Sequence, residues 1–366
     1  MFQKLQAKIL AGGRITRSEA VRLFRHDNIY ELGRLADTVA RKKNGKKVFF
    51  VVNRHINPTN ICVNRCKICA FSKSKGEAGA FELTLDQMLD RLESGMQKQR
   101  SLNGKTLVNG FSEVHIVGGL HPEWPFDFYL NLIATTRKRY PDLNIKAFTA
   151  VEIDHFSRIS GLSVKDVLTQ LYNAGLQIMP GGGAEIFAEE VRRQVCPEKI
   201  SAKRWLQIMK TAHSVGIKTN ATMLYGHVET YEDRIDHLLK LRALQDETGG
   251  FQAFVPLAYH PKNTEIGGYY SSGIDDLKTI AVSRLMLDNF DHIKAYWIDL
   301  GEKVSQVALL FGADDLDGTI VEEKITRSAG GLTKGVMTRD DLIFLIRKAG
   351  KIPVERDGLY HELWRG

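Results

Sequence analysis

The chain has 366 residues, 43% hydrophobic and 26% charged, the composition of a globular protein and not of a collagen, a disordered chain or a disulfide scaffold. Its formal charge of +8 is uneven, with 21 Lys/Arg against 9 Asp/Glu in residues 1–110 and 30 against 34 in the remainder. No apolar run approaches the roughly 20 residues of a membrane helix, and Met1 to Leu10 is too polar for a signal-peptide core, so a cytoplasmic protein with no membrane span is expected.

Residues 1–47 read as an N-terminal helical extension, with a helix opened by the capping box Thr16 to Glu19. Candidate strands then begin near Val48, Glu113, Ile145, Gln177, Lys218, Phe251, His292 and Gly318. Between them, Thr84 to Gln87, Ser163 to Asp166 and Thr230 to Asp233 each set a hydroxyl three residues before a side chain suited to a helix N-terminus. Parallel strands need crossover helices. The length alone allows two domains, but eight such units predict an α/β fold, a closed (β/α)8 TIM-type barrel over residues 48–312. An open doubly wound sheet is the alternative, although no Gly-x-Gly-x-x-Gly turn follows the first strand. Residues 313–366, from the acidic run Asp314, Asp315, Asp317 to a helix over Asp340 to Gly350, read as a C-terminal extension that caps the barrel.

Several polar residues fall at or just past the expected strand ends: His55 and Asn57, Gly118 and Gly119, Glu152, Gly181 to Glu185, Thr222, and Tyr259 with His260. In a barrel those C-terminal ends carry the active site. The basic run Arg41, Lys42, Lys43, Lys46, Lys47 has no interleaved aromatics, so no nucleic acid is expected. It is either a solvated face or one that docks an acidic protein.

Three of the four cysteines, Cys62, Cys66 and Cys69, form a C-x3-C-x2-C triplet after the first strand. Soft thiolates this close can surround zinc or an iron–sulfur cluster. Zinc usually takes a second ligand pair, and none follows locally. Cys196 lies far downstream and reads as a packed or free thiol. Three thiolates leave one iron of a cubane without a protein ligand, an open coordination position.

The triplet with Ile68 in its apolar slot resembles the radical S-adenosylmethionine (SAM) superfamily. Asn53 to Asn57, Ile61 to Phe71, Gly118 to Pro122, Met179 to Ile186 and Ala258 to Pro261 together resemble the futalosine-pathway menaquinone enzymes and the deazaflavin cofactor enzymes. Within that group the wording is most similar to the aminofutalosine synthases. The resemblance implies a 4Fe-4S cluster on Cys62, Cys66 and Cys69, with SAM chelating the fourth iron. It implies a flavodoxin or ferredoxin as reductant, and addition of the 5′-deoxyadenosyl radical to 3-[(1-carboxyvinyl)oxy]benzoate. The products would be 6-amino-6-deoxyfutalosine, methionine and bicarbonate. Dehypoxanthine futalosine cyclase and the deazaflavin synthase subunit share the vocabulary; a zinc-stapled RNA-binding protein is a remote alternative.

The resemblance also implies SAM contacts from Ile68, Phe71, Gly118, Gly119, Glu152, Glu185, Thr222 and Tyr225. Without it, the glycine pair could be a tight turn, Glu185 a helix cap and Thr222 an ordinary strand residue. The substrate's two carboxylates require hydrogen-bonding or cationic partners, for which Arg54, His55, His121 and His260 are candidates. Each of these also reads as a buried histidine or a surface arginine. Arg65 fits loop structure or partner docking better than substrate contact.

Overall fold

Val48 to Val51 and the residues after Val52 form two short strands, Lys47–Val51 (β1) and Asn53–Ile56 (β2). In the computed structural model, which describes residues 2–94, 100–102, 105–107, 110–331, 333 and 335–366, a small antiparallel pair follows, Arg100–Leu102 (β3) and Lys105–Leu107 (β4). The remaining strands are Glu113–Ile116 (β5), Asn144–Ala147 (β6), Ile178–Met179 (β7), Lys218–Tyr225 (β8), Phe251–Ala258 (β9), His292–Ile293 (β10), Asp315–Gly318 (β11), Ile352–Arg356 (β12) and Glu362–Arg365 (β13). Seven of them form one parallel sheet in the order β10-β9-β8-β7-β6-β5-β2. A second sheet runs β11-β1-β12-β13, antiparallel only at β12-β13.

The two sheets meet at both edges. Ala295 N–H donates to Asp315 O at 2.8 Å and His55 N–H donates to Val321 O at 2.8 Å. Parallel bridges pair Lys294 with Asp315 and Arg54 with Val321. Residues 315–321 therefore complete the wall between β10 and β2, and the expected α/β barrel is found. The expected division after residue 312 is corrected at this point: the segment it assigned to a cap supplies the closing strand. Its acidic run is not a surface feature either. Asp314 pairs with Arg284 at 2.6 Å, Asp315 with Arg356 at 2.8 Å and Asp317 with Lys294 at 2.8 Å, all buried. Each of these cations is remote along the chain from its carboxylate.

The expected helix starts form as the hydroxyl spacing dictates. Capping boxes close at Thr16/Glu19, Thr84/Gln87 and Thr230/Asp233, and the Ser163 hydroxyl accepts from Asp166 N–H. The last helix is Arg339–Lys348, with Thr338 and Asp341 as its box. Three helices, Phe2–Leu10, Arg17–Phe24 and Ile29–Asn44, occupy the N-terminal segment. The second and third lie on the outer helices Tyr231–Thr248 and Gly273–Met286, and Arg14 meets Asp246 and Arg17 meets Asp236, each at 2.6 Å.

The turn joining β12 to β13 enters the barrel from the N-terminal ends of the strands. Gly358 N–H donates to Asn144 Oδ1 at 2.9 Å, and Gln252 Nε2 donates to Gly358 O at 3.3 Å. A Cβ on Gly358 would sit 2.8 Å from Ile178 Cδ1 and 2.9 Å from Asn144 Cβ, so only glycine fits there. Asn144, Ile178 and Gln252 all stand at or near strand starts. The C-terminal hairpin thus stoppers the bottom of the barrel, and the opposite end is left for function.

Candidate active site

A cavity of about 350 Å³ opens among the C-terminal strand ends, and Cys62, Cys66 and Cys69 all line it. The cysteine loop is held by backbone bonds to three distant segments: Cys62 N–H to Lys73 O, Val63 N–H to Leu120 O and Lys67 N–H to Val195 O, each 3.0 Å. All four cysteines are free thiols. Burial pushes the Cys66 thiol up to about 12 and raises that of Cys62. Such thiols stay protonated until a metal displaces the proton. Among the described residues no three His, Cys, Asp or Glu side chains already stand together as ligands of one ion. A cubane makes no such demand, since each thiolate holds a different iron. The donor set therefore fits an iron–sulfur cluster. Cys196 is buried beneath the loop, in the electrostatic neighbourhood of Cys66.

Of the residues expected to meet SAM, Ile68, Phe71, Gly118, Gly119, Glu152, Glu185 and Thr222 line the same cavity. The glycine pair lets the cysteine loop approach: a Cβ on Gly119 would lie 2.2 Å from Ile61 O, and one on Gly118 3.0 Å from Thr59 O. Glu152 is not on a strand end as expected. It is the third residue of the helix Ala150–Ser160, accepting from Thr149 N–H at 2.6 Å and Gly118 N–H at 3.3 Å. The box Thr149/Glu152 belongs to the same spacing rule that found the other helix starts. Burial raises the Glu152 carboxyl to about 7 against these hydrogen bonds. The helix expected right after Gly183 begins only at Glu189. Glu185 therefore does not cap it; burial alone would raise its pKa, but its carboxylate pairs with the half-buried Lys199, which, with weaker help from Arg192 and His227, lowers it.

Thr222 sits inside β8, not at its end, and its hydroxyl donates to Gly181 O at 2.7 Å. Tyr225 ends β8 but faces away from the cavity. Its hydroxyl donates to Asp276 at 2.8 Å, and Arg234 lies 4.9 Å over its ring. The strand period of two puts it on the helix side of the wall.

The same period sorts the expected substrate ligands. His55 points into the cavity; Arg54, its neighbour, points out, where it meets Glu322 at 2.8 Å and Ser94 O at 3.0 Å. His121 is a structural residue of the loop. It lies 2.7 Å from Glu82, accepts at Nδ1 from the N–H groups of Glu123 and Trp124, and stacks on Trp124. His260 lines the cavity, with Nε2 on Asp299 O at 3.0 Å and Nδ1 buried without a partner. Arg65 meets Glu77 at 3.1 Å on the surface, as loop structure predicts.

Several lining residues were not singled out in the sequence: His115, Lys146, Asn220, Lys294, Asp317 and Lys199. The alternation in Glu113-Val-His-Ile116 and Asn144-Ile-Lys-Ala147 carried the signal for two of them, since a polar residue at every second position of a barrel strand faces inward. Asp299 and Glu323 also reach the cavity; burial raises both carboxyls, and the Glu323 charge adds to the rise at Asp299.

Comparison with known proteins agrees with this geometry. Residues 56–241 match the model of the radical SAM superfamily, and residues 248–365 that of the CofH/MqnC C-terminal region. The chain is 44% identical to an aminodeoxyfutalosine synthase of Thermus thermophilus, covering 97% of this chain and 94% of the relative. It is 42% identical to one from Streptomyces coelicolor, covering 99% and 94%. It is 38% identical to a 5-amino-6-(D-ribitylamino)uracil–L-tyrosine 4-hydroxyphenyl transferase of Methanococcoides burtonii, covering 96% of each. Methylornithine synthase shares the fold at a TM-score of 0.75 and 17% identity, covering 95% of this chain and 96% of that one. No described helix is long and apolar enough to cross a membrane. With its three-cysteine loop at the mouth of a parallel barrel, the chain belongs to the radical SAM superfamily and is an enzyme of the kind that uses a 4Fe-4S cluster and S-adenosylmethionine.

Proposed function

We propose that the enzyme joins the 5′-deoxyadenosyl group of SAM to the vinyl carbon of 3-[(1-carboxyvinyl)oxy]benzoate, giving 6-amino-6-deoxyfutalosine with release of methionine and bicarbonate. The observation that carries this reading is the near full-length identity of 44% and 42% to aminodeoxyfutalosine synthases, over a chain whose cavity sets the three thiols at its mouth and basic side chains in its depth. Cys62, Cys66 and Cys69 would hold the cluster, which when bound with SAM supplies the one-electron chemistry. The chain's own part is to bind, orient and exclude water. Gly118 and Gly119 bring the second strand turn against the cysteine loop, and Glu152 and Glu185 give the mouth two carboxyl groups for a ligand carrying an ammonium and ribose hydroxyls. The one-electron reductant is a flavodoxin or ferredoxin.

The test is anaerobic turnover with SAM labelled in its adenosyl moiety. Label should move into a nucleoside that bears the benzoate ring. Stoichiometric 5′-deoxyadenosine in place of that product would assign the enzyme to hydrogen abstraction, as in the cyclase. Consumption of tyrosine with 5-amino-6-(D-ribitylamino)uracil would assign it to the reaction named for the Methanococcoides relative.

A further inference from the structure

The deep end of the cavity is built differently from its mouth. His55 on β2, His115 on β5 and Lys146 on β6 are register partners across three adjacent strands, so they form one row on the inner wall. All three line the cavity, His55 and Lys146 buried and His115 half-buried, and the two imidazole rings lie 4.4 Å apart. The Nε2 atoms of both histidines are sealed from solvent and have no hydrogen-bond partner, a condition that costs stability unless a ligand relieves it. Lys146 contacts Glu113 at 2.7 Å, and Lys294, in the same space, contacts Asp317 at 2.8 Å. Each ammonium has three protons and one close carboxylate. Two imidazoles and two ammonium groups thus converge there, the ammonium groups each held by one carboxylate and the two imidazole Nε2 atoms by none.

We propose that the row His55, His115 and Lys146, joined by Lys294, seats the ring carboxylate of the benzoate substrate. A carboxylate has about four lone-pair positions and accepts from several donors at once, which this set supplies. Burial keeps both imidazoles neutral at neutral pH, so each has one N–H to give without adding net charge to the floor. The end of the substrate follows from its shape. The vinyl carbon must meet the adenosyl group near the cysteine loop, so the ring carboxylate, at the far end of the molecule, points down the barrel. The assignment rests on the substrate proposed above.

The experiment compares that substrate with 2-phenoxyacrylate, which keeps the vinyl ether and lacks the ring carboxylate. The holoenzyme should prefer the benzoate in kcat/KM, and His55→Phe or His115→Phe, which keep a ring and lose its N–H, should reduce the preference roughly tenfold to a hundredfold. An unchanged preference in a folded variant overturns the assignment and leaves the functional reading standing. A wild-type enzyme that consumes no benzoate at all overturns both. A measurement without variants reads the same contact: in protein labelled with 15N-histidine, 3-hydroxybenzoate should shift the imidazole signals of two histidines and phenol should not. Equal shifts with phenol, or none with either, count against a carboxylate seat.

Discussion

The two ends of the barrel both bury charged and polar side chains, and they partner them to different degrees. At the bottom, Arg356 meets Asp315 at 2.8 Å, Arg284 meets Asp314 at 2.6 Å, Arg339 meets Glu355 at 2.7 Å, and the hairpin turn is hydrogen-bonded to Asn144 and Gln252. On the cavity side, His55 Nε2, His115 Nε2 and His260 Nδ1 are buried and unanswered, and two thiols are held protonated by burial. A buried polar group left without a partner is costly, so a fold keeps such groups where a ligand completes them. At the bottom the chain supplies most of the partners itself, Arg356 Nη2 and Gln252 Oε1 being buried atoms left without one, whereas on the cavity side three imidazole nitrogens meet none.

The largest effect expected from breaking this contrast is at the thiols. Changing Cys62, Cys66 or Cys69 to Ala should abolish both activity and iron content, because a cubane held by two protein thiolates is poorly retained. Cys196→Ala should retain iron and turnover, with a small loss of stability for the packed sulfur. Iron and sulfide analysis after anaerobic purification checks both, and also excludes a zinc-stapled protein, which would carry zinc and no iron.

Next in size is the stopper. Arg356→Met leaves Asp315 buried with the Tyr360 hydroxyl at 2.7 Å as its remaining close donor outside the backbone, and losing one partner of a buried pair costs about 3–5 kcal/mol. The midpoint of urea unfolding should fall accordingly while KM for SAM stays as it was. A shift in KM without one in stability would mean that the bottom is part of the site.

How much of this was legible in the sequence follows from the range of the interactions. Helix starts at Thr16, Thr84, Ser163 and Thr230 were readable because a cap closes over three residues. Six of the expected strand starts, at Glu113, Ile145, Gln177, Lys218, Phe251 and His292, were readable from local patterning, and the cysteine triplet from spacing alone; the run from Val48 lies in the second sheet, with Asn53–Ile56 as the first strand of the barrel sheet, and the strand expected to begin near Gly318 ends there. Arg54 and Tyr225 were misplaced because proximity to a strand end does not say which face a side chain takes; one residue along the strand reverses it. Lys294 was missed because its meaning depends on a strand far along the chain, whereas the alternation in Asn144–Ala147 did carry Lys146. The buried ion pairs of residues 314–317 were not readable for the same reason.

A smaller effect is expected from Glu152. Its carboxyl is raised by burial to about 7, so its ionisation opposes folding: the stability present below the unfolded value near 4.5 is lost as pH rises from there through 7. A ligand ammonium or hydroxyl facing Glu152 would stabilise the anion and drive off its proton. SAM binding near pH 7 should therefore release a fraction of a proton, read by calorimetry in buffers of different ionisation enthalpy, and Glu152→Gln should remove that release. Proton uptake in the wild type would place the ligand's cationic part elsewhere.

The smallest effect is expected where the sequence suggested a large one. The basic segment of the first 110 residues invites the expectation that Arg41, Lys42 and Lys43 steer an acidic flavodoxin or ferredoxin to the cluster. The fold puts them at the start of β1, at the stoppered end: Lys43 is 3.9 Å from Asp291, just before β10, and Lys47 is 2.6 Å from Glu362 in the hairpin. Arg41 is also paired with Asp37 at 2.6 Å, and Lys42 donates to Leu10 O at 2.6 Å. Their field is screened over about 8 Å at physiological salt, and the cysteines follow the opposite ends of the strands. Reversing all three to Glu should leave the flavodoxin reduction rate and its salt dependence within about twofold of wild type, an expected size for charges outside the docking face. The cations beside the cysteine loop are Arg65 and Lys67, both partly exposed, with Glu77 at 3.1 Å and Glu265 at 3.5 Å. Reversing those two should slow reduction by flavodoxin and flatten its salt dependence, with reduction by dithionite, which needs no docking, as the control. If the triple reversal at the bottom slows flavodoxin and the pair at the mouth does not, the protein is reduced from its stoppered end, and the division of labour between the two ends of the barrel is wrong.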